Sequence, residues 1–501
     1  MDNIIDIEDE DRLYYEGLAV EQEKRDGDEM SLPSVVEDYV NSAVQVSKYN
    51  NVPAALTFFT LLGQLTYPMV KIARGRSRDD TRINFLWMQT SGTGKSEMYN
   101  FFGPVAKMTF EMINATYEDQ IIVNGVPVHY DIFDVKDITD AALVGSGEKE
   151  EQLVEQENGP PRREKVVVFK KGALDGSGLC VYDEFEYSGV FKQSQHKENV
   201  IMYLNTLMNT LWGKNYQISK KLKDFEEPII CDSRRGVYAT TYIPKDLTKV
   251  IAEKGVMQRM LIFIWEVPQY IQDQINEDMI EEVGVIVDSE RPIKKYANAF
   301  LVIYDALRKR YEEVGQDPEK TIVYGEDFNA ALKNEWRSMR NYVTNSRPEV
   351  FEIAGNFITR LLGTLTKLSV LCAIAEAPGI TDEKQRYIVT SRNVRQASSL
   401  VRQCYKSLVS WLDTALKVRR ETLEAKTGML DFKQAYQDTK PKDDEWVAKT
   451  VLLAQVRKNT NKGESTIYRH FQKHEDKFEK KKIGVKVYVK LKEEKQNDQN
   501  I

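Results

Sequence analysis

Eight residues, Gln89-Thr90-Ser91-Gly92-Thr93-Gly94-Lys95-Ser96, combine the groups needed to hold a triphosphate. They fit G-x-x-x-x-G-K-[ST] everywhere except the first position, where Gln89 replaces glycine. Glycines let backbone N–H groups turn inward toward phosphate oxygens, and a helix N-terminus behind them adds partial positive charge. Ser91, Gly92, Thr93 and Gly94 would line that cradle. Lys95 would neutralise the β- and γ-phosphates of ATP, and Ser96 would offer a hydroxyl to Mg2+. Gln89 starts the turn and is not expected to touch the phosphates.

A second chemical group lies at Leu179-Cys180-Val181-Tyr182-Asp183-Glu184. An acidic pair ending a buried strand sits at the C-terminal edge of a sheet, where open α/β folds bind ligands. Asp183 would hold the metal through water, and Glu184 would orient and deprotonate an attacking water. Thr240 and Thr241 end another apolar run, where a hydroxyl could sense the γ-phosphate or simply cap the next turn. Arg259 precedes the next run. It reads as a subunit-bridging finger that stabilises charge on the transferring phosphoryl group, or as a local salt bridge. Arg360, further on, is a candidate second sensor.

These groups need strands and helices to position them. Four short apolar runs read as buried parallel strands: Ile83–Met88, Leu179–Tyr182, Gly236–Thr240 and Met260–Trp265. The loop at Gly92 lies between the first run and a helix bearing Met98, Phe101 and Phe102. Ser31-Leu32-Pro33 opens a helical lead-in, followed by a helical run through Ala54–Leu65. Residues Ser146–Lys171, rich in Glu, Gln, Gly and Pro, read as an exposed insertion. After Pro268 the chain turns helical. Beyond Gly428, Thr450–Thr460 and Ser465–Phe478 read as helices and Val485–Leu491 as a strand closing a hairpin, the pattern of a winged helix. The expected organisation is α/β: an acidic tail (1–30), a helical N-terminal region (31–80), a P-loop ATPase core with a parallel sheet (81–268), a helical lid (269–427) and a basic winged-helix domain (428–495).

Charge is unevenly spread. The net value of −7 hides 12 acidic and 3 basic residues in 1–30, against 13 basic and 4 acidic in 449–492. A basic helix with Arg469, Lys473 and Lys477, followed by Lys480–Lys482 and a wing with Lys486 and Lys490, fits duplex DNA, the helix in the major groove and the wing on the backbone. His470 and His474 are four apart, but no further ligand type lies near them, so a metal site is not expected. Four scattered cysteines without a CxxC pair, and no leader pattern, fit a reducing cytoplasm. Tyr49–Val70 is uncharged, yet Asn50, Asn51, Pro53, Gly63, Gln64 and Pro68 make a buried helix pair the better reading than a membrane span.

The order GTGKS, VYDE, a threonine-ended GVYATT and GVMQRM before an apolar run resembles the P-loop ATPases of phages, plasmids and integrated elements. Those proteins look related to superfamily 3 helicases and other hexameric AAA+ motors. The similarity runs from about Leu32 to Ala375. The spacer from Lys95 to Asp183 is longer than in compact superfamily 3 helicases. The resemblance implies a homo-oligomeric, hexameric ring, with ATP between subunits and single-stranded DNA in the pore. It carries over to Lys95, Ser96, Asp183, Glu184 and Arg259. It also implies a pore hairpin just before the threonine-ended strand, with Lys220, Lys221 and Lys223 gripping phosphates. The expected function is an ATP-driven replicative DNA helicase acting in the host cytoplasm. The alternatives are a DNA-binding ATPase that initiates or loads without unwinding, and a DNA-packaging motor.

Overall fold

The computed structural model of the protein describes residues 32–492, apart from 48–50, 118–120, 124–125, 136–139, 157–158, 173, 186–197, 213–216, 222–227, 244–254, 284–289, 345, 347, 377–385, 441–444, 461–462 and 485. Five strands, β1 (Phe85–Gln89), β2 (Tyr130–Asp134), β3 (Gly176–Tyr182), β4 (Ile229–Thr241) and β5 (Leu261–Trp265), form a parallel sheet in the order β5-β1-β4-β3-β2. All five residues of β1 are buried. That is why its sequence, FLWMQ, shows no alternation of apolar and polar residues. Because the strands are parallel, their C-terminal ends share one edge, and β1, β4 and β3 bring together segments about 150 residues apart.

The four apolar runs match β1, β3, β4 and β5 to within a few residues, but two features differ from expectation. β2 was missed because Tyr-Asp-Ile-Phe-Asp at an edge is mostly exposed or half-buried. β4 begins at Ile229 rather than Gly236. Its first half carries Arg234 and Arg235, which are 2% and 3% exposed and would not be read as strand interior. Each is neutralised by a carboxylate, Arg234 by Asp232 and Arg235 by Asp131 on β2. The segment expected as an exposed insertion forms a two-stranded antiparallel hairpin, Gly145–Gln156 with Gly159–Lys171. It accounts for much of the long spacer between Lys95 and Asp183.

Helices pack the sheet. The helix Lys95–Tyr117 buries Met98, Phe101, Phe102, Val105, Phe110 and Ile113. It meets an aromatic cluster from the lead-in and from the helix Glu290–Glu313, with Tyr39 5.4 Å from Phe101 and Phe58 4.5 Å from Phe300. The uncharged stretch near Tyr49 is one helix, Asn51–Thr66, and not a pair. Every residue after Asn51 is buried, so its even hydrophobicity reflects protein on all sides. At Gly63 a Cβ would stand 2.4 Å from the carbonyl oxygen of Thr81, so only glycine lets the helix approach the chain leading into β1. The helix Pro348–Ala375 is also long and apolar, and most of it lies inside the fold.

The described residues divide at Leu412/Asp413 into two compact units. The lead-in, the core built on the parallel sheet and the helices after it thus belong to one unit. The boundary expected at Gly428 falls inside a continuous helix, Ser391–Thr439. Buried Phe432, Ala435 and Tyr436, at helical spacing, carry that helix onward. In the second unit they are followed by a short strand (Val447–Ala448), helices Lys449–Thr460 and Glu464–Lys473, and strands Phe478–Ile483 and Lys486–Leu491. The helix expected to reach Phe478 ends at Lys473, because Phe478 already belongs to the first strand of the hairpin. The three strands form an antiparallel sheet with the last strand central. Leu452, Val456, Ile467, Phe471, Phe478 and Val489 fill the core.

Candidate functional site

The residues Thr90–Gly94 connect β1 to the helix that starts at Lys95. Gly92 (φ +74°) and Gly94 (φ +96°) both adopt left-handed backbone, which glycine tolerates without steric cost. Ser91, Gly92 and Ser96 are exposed, Gly94 and Lys95 half-buried and Thr93 buried. The Lys95 ammonium donates to the carbonyl oxygens of Gln89 (2.8 Å) and Thr90 (3.0 Å). Gln89, expected to be a passive departure, is fully buried and hydrogen-bonded at both ends of its amide.

The acidic pair follows β3 directly. Asp183 and Glu184 are both exposed at the same sheet edge as the loop. Between them and β1 lies the end of β4, with Thr240 opposite Trp87 and Thr241 opposite Met88. Thr240 donates to the backbone oxygen of Asp183 at 2.6 Å, and its hydroxyl lies 3.2 Å from the Asp183 carboxylate. Thr240 is therefore the hydroxyl that reaches the acidic pair, while Thr241 is buried one residue further on. Tyr99, one turn after Lys95, donates to Asp134 at the end of β2 (2.5 Å). Burial, that hydrogen bond and the charges of Asp134 and Asp183 push its hydroxyl well above the ordinary tyrosine range. Asp134 and Tyr99 were missed because an edge-strand aspartate and a helical tyrosine carry no motif of their own.

Chemically, the edge offers an ammonium, an exposed serine hydroxyl, exposed carboxylates and an open glycine loop. A hydroxyl and carboxylates are hard oxygen donors of the kind Mg2+ prefers, with phosphate oxygens and water completing its shell. No protein-family model and no curated protein matches the chain.

Arg259 is not at this edge. Leu261 pairs with Phe85 at the start of β1, whereas the loop follows Gln89, paired with Trp265. Four strand steps, about 13 Å, separate the two ends. Arg259 instead donates to Asn205 (2.8 Å) and to the Gly255 carbonyl (3.0 Å), so the local contact is a polar one and not a salt bridge. It lines a cleft of about 750 Å3 with Arg74, Arg78, Arg360 and Lys367. Partial burial and the nearby positive charge of Arg360 lower its pKa.

Where a hairpin before the threonine-ended strand was expected, Gln217–Lys220 pairs antiparallel with Ile229–Asp232, the first residues of β4 itself. Lys220 is half-buried and Lys221 exposed, while Lys223 lies outside the described residues. In the second unit Arg469 and Lys473 are exposed on the helix Glu464–Lys473, with Lys482 and Lys486 exposed on the hairpin. Part of the positive charge is spent locally. Lys477 lies 3.8 Å from Asp476, Lys480 2.7 Å from Glu475, and Lys490 pairs with Glu445.

Proposed function

We propose that this chain is an ATP-driven DNA helicase of the phage and mobile-element type, with a P-loop core and a winged-helix second unit. One observation carries the reading: the glycine loop with Lys95, the Thr240 hydroxyl and the Asp183–Glu184 pair lie on adjacent strands at one sheet edge. In this reading Ser91–Ser96 cradle the phosphates of ATP, and Lys95 exchanges its carbonyl partners for β- and γ-oxygens. Ser96 and Asp183 would hold Mg2+, which when bound offsets phosphate charge. Glu184 accepts a proton from the attacking water, and Thr240, bonded to Asp183, keeps that carboxylate aimed at the metal position. Thr241 stays a candidate sensor beside Met88.

Arg259, at the far edge of its own sheet, can serve a phosphoryl group only on a neighbouring copy. A closed ring, hexameric by resemblance, supplies that neighbour. Arg259→Ala should lower turnover about 10³-fold, as loss of an arginine finger does. Mixing it one-to-one with Lys95→Ala should restore activity at about a quarter of the interfaces, because each variant repairs the other's defect across a subunit boundary. Absence of any recovery in mixed rings would argue for an arginine acting within its own chain or not at all.

The second unit has the helix–helix–hairpin order of a winged helix. Arg469 and Lys473 point this reading toward DNA, while Lys477, expected on the same helix, lies in the short 3-10 turn Glu475–Lys477 between the helix and the hairpin. Single-stranded DNA in a ring would meet this strand pair at Lys220 and Lys221. The deciding experiment is strand displacement on a forked duplex with ATP. Wild-type protein should separate the strands, and Lys95→Ala should not. Displacement that survives Lys95→Ala would sink the motor.

A further inference from the structure

The departure at Gln89 is a working part of the loop. Trp87 and Gln89 are two residues apart on β1 and so face the same side of the strand. The Trp87 indole N–H donates to Gln89 Oε1 at 2.8 Å. From the other end of the amide, Gln89 Nε2 donates to Thr93 twice, to its carbonyl (2.7 Å) and to its hydroxyl (2.8 Å). The Thr93 hydroxyl passes the chain on to the Thr90 carbonyl at 2.6 Å. Outside the loop, the Thr90 hydroxyl accepts from the Val267 N–H just past β5 (3.1 Å). Trp87 and Gln89 are 0% exposed and Thr93 2%, so water cannot replace these partners.

We propose that Gln89 is a positioning residue. Its side chain clamps the first and fifth positions of the loop together and presets the curvature that receives the triphosphate of a nucleotide. A glycine at this position shapes such a loop by leaving space. Here a buried amide shapes it by hydrogen bonds. Restoring the common glycine should therefore weaken nucleotide binding. The inference rests on the phosphate-loop reading above, since it concerns the same loop.

The test is a fluorescence titration with a labelled ATP analogue, alongside steady-state ATP turnover and thermal melting. The proteins are wild type, Lys95→Ala, Gln89→Gly, Gln89→Met, Trp87→Phe and the double variant Trp87→Phe/Gln89→Met. Gln89→Met keeps the volume and removes both hydrogen-bonding ends. Buried partners left unsatisfied cost enough for about a tenfold loss of affinity. Kd and KM should rise by about that factor in Gln89→Met and Gln89→Gly, with kcat within about twofold, because a disordered loop weakens ground state and transition state alike. Trp87→Phe should show a smaller rise, and the double variant no more than Gln89→Met alone, as expected for residues acting through one contact. Gln89→Gly binding as tightly as wild type overturns the proposal. So does an unchanged KM with kcat falling in step with the folded fraction. If wild-type protein binds no nucleotide and Lys95→Ala is indistinguishable from it, the phosphate-loop reading itself fails, and that result is visible before any Gln89 variant is measured.

Discussion

Glu184→Gln is expected to cut ATP turnover by about 10²–10⁴-fold, the usual contribution of a general base, while ATP affinity changes little. Glu184 is exposed at the sheet edge immediately beyond Asp183, just past the end of the strand two places from β1. Glutamine keeps the side chain's size and its ability to orient a water, but cannot take the proton. The loss should therefore appear in kcat and kcat/KM together, as for an interaction made only in the transition state. Lys95→Ala should behave differently. If the site takes a triphosphate, removing the ammonium strips it of the charge opposing that polyanion, so binding itself should weaken. The measurements are single-turnover hydrolysis for chemistry and equilibrium titration for binding. Glu184→Gln turning over ATP within threefold of wild type would remove Glu184 from the mechanism, and equal ATP affinity in Lys95→Ala would remove the loop.

Much of the sheet was legible in the sequence because parallel strands covered on both faces become continuous apolar runs. Phe85–Gln89 and Leu261–Trp265 are of that kind. Legibility ended where burial was polar. Arg234 and Arg235 lie inside β4, but their partner carboxylates, Asp232 and Asp131, come from two different strands, and no local pattern links Arg235 to a residue 104 positions earlier. The motif residues were legible because loop chemistry is local. Lys95 and Gly94 are adjacent, so their spacing is read directly from the sequence. Arg259 was legible only as a type and place in sequence. Its separation from the loop is a property of strand direction, and under the motor reading it moves any contact with a phosphoryl group to a second subunit. Gln89 was underrated for the converse reason. A motif scores a departure as loss, whereas the hydrogen bonds to Trp87 and Thr93 tie the Gln89 side chain into the loop.

Asp80→Asn should destabilise the first unit by about 3–5 kcal/mol, the range for removing one partner of a buried ion pair. Asp80 is 0% exposed and Arg82 4%. The carboxylate accepts from the Arg82 side chain at 3.2 and 3.0 Å, from the Arg82 backbone N–H at 2.9 Å and from the Leu211 N–H at 2.9 Å. Arg82 in turn donates to the carbonyls of Arg235 (2.9 Å) and Asn209 (2.6 Å), tying the chain that enters β1 to β4 and to the turn after the helix Glu198–Leu207. Asparagine would leave the guanidinium buried without its counter-charge. The pH dependence follows from the same contacts. Burial alone would raise the Asp80 pKa, but Arg82, Lys367 and the hydrogen bonds outweigh it and hold the carboxyl well below its ordinary 3.8. A depressed native pKa gives stability that is complete above the unfolded value and drains away as pH falls toward the native one. The gap between wild type and Asp80→Asn in urea midpoint should accordingly be constant from pH 7 to about pH 5 and narrow below about pH 4. A gap that stays fixed, or widens, on acidification would mean that the carboxylate charge is not what holds Arg82 in the interior.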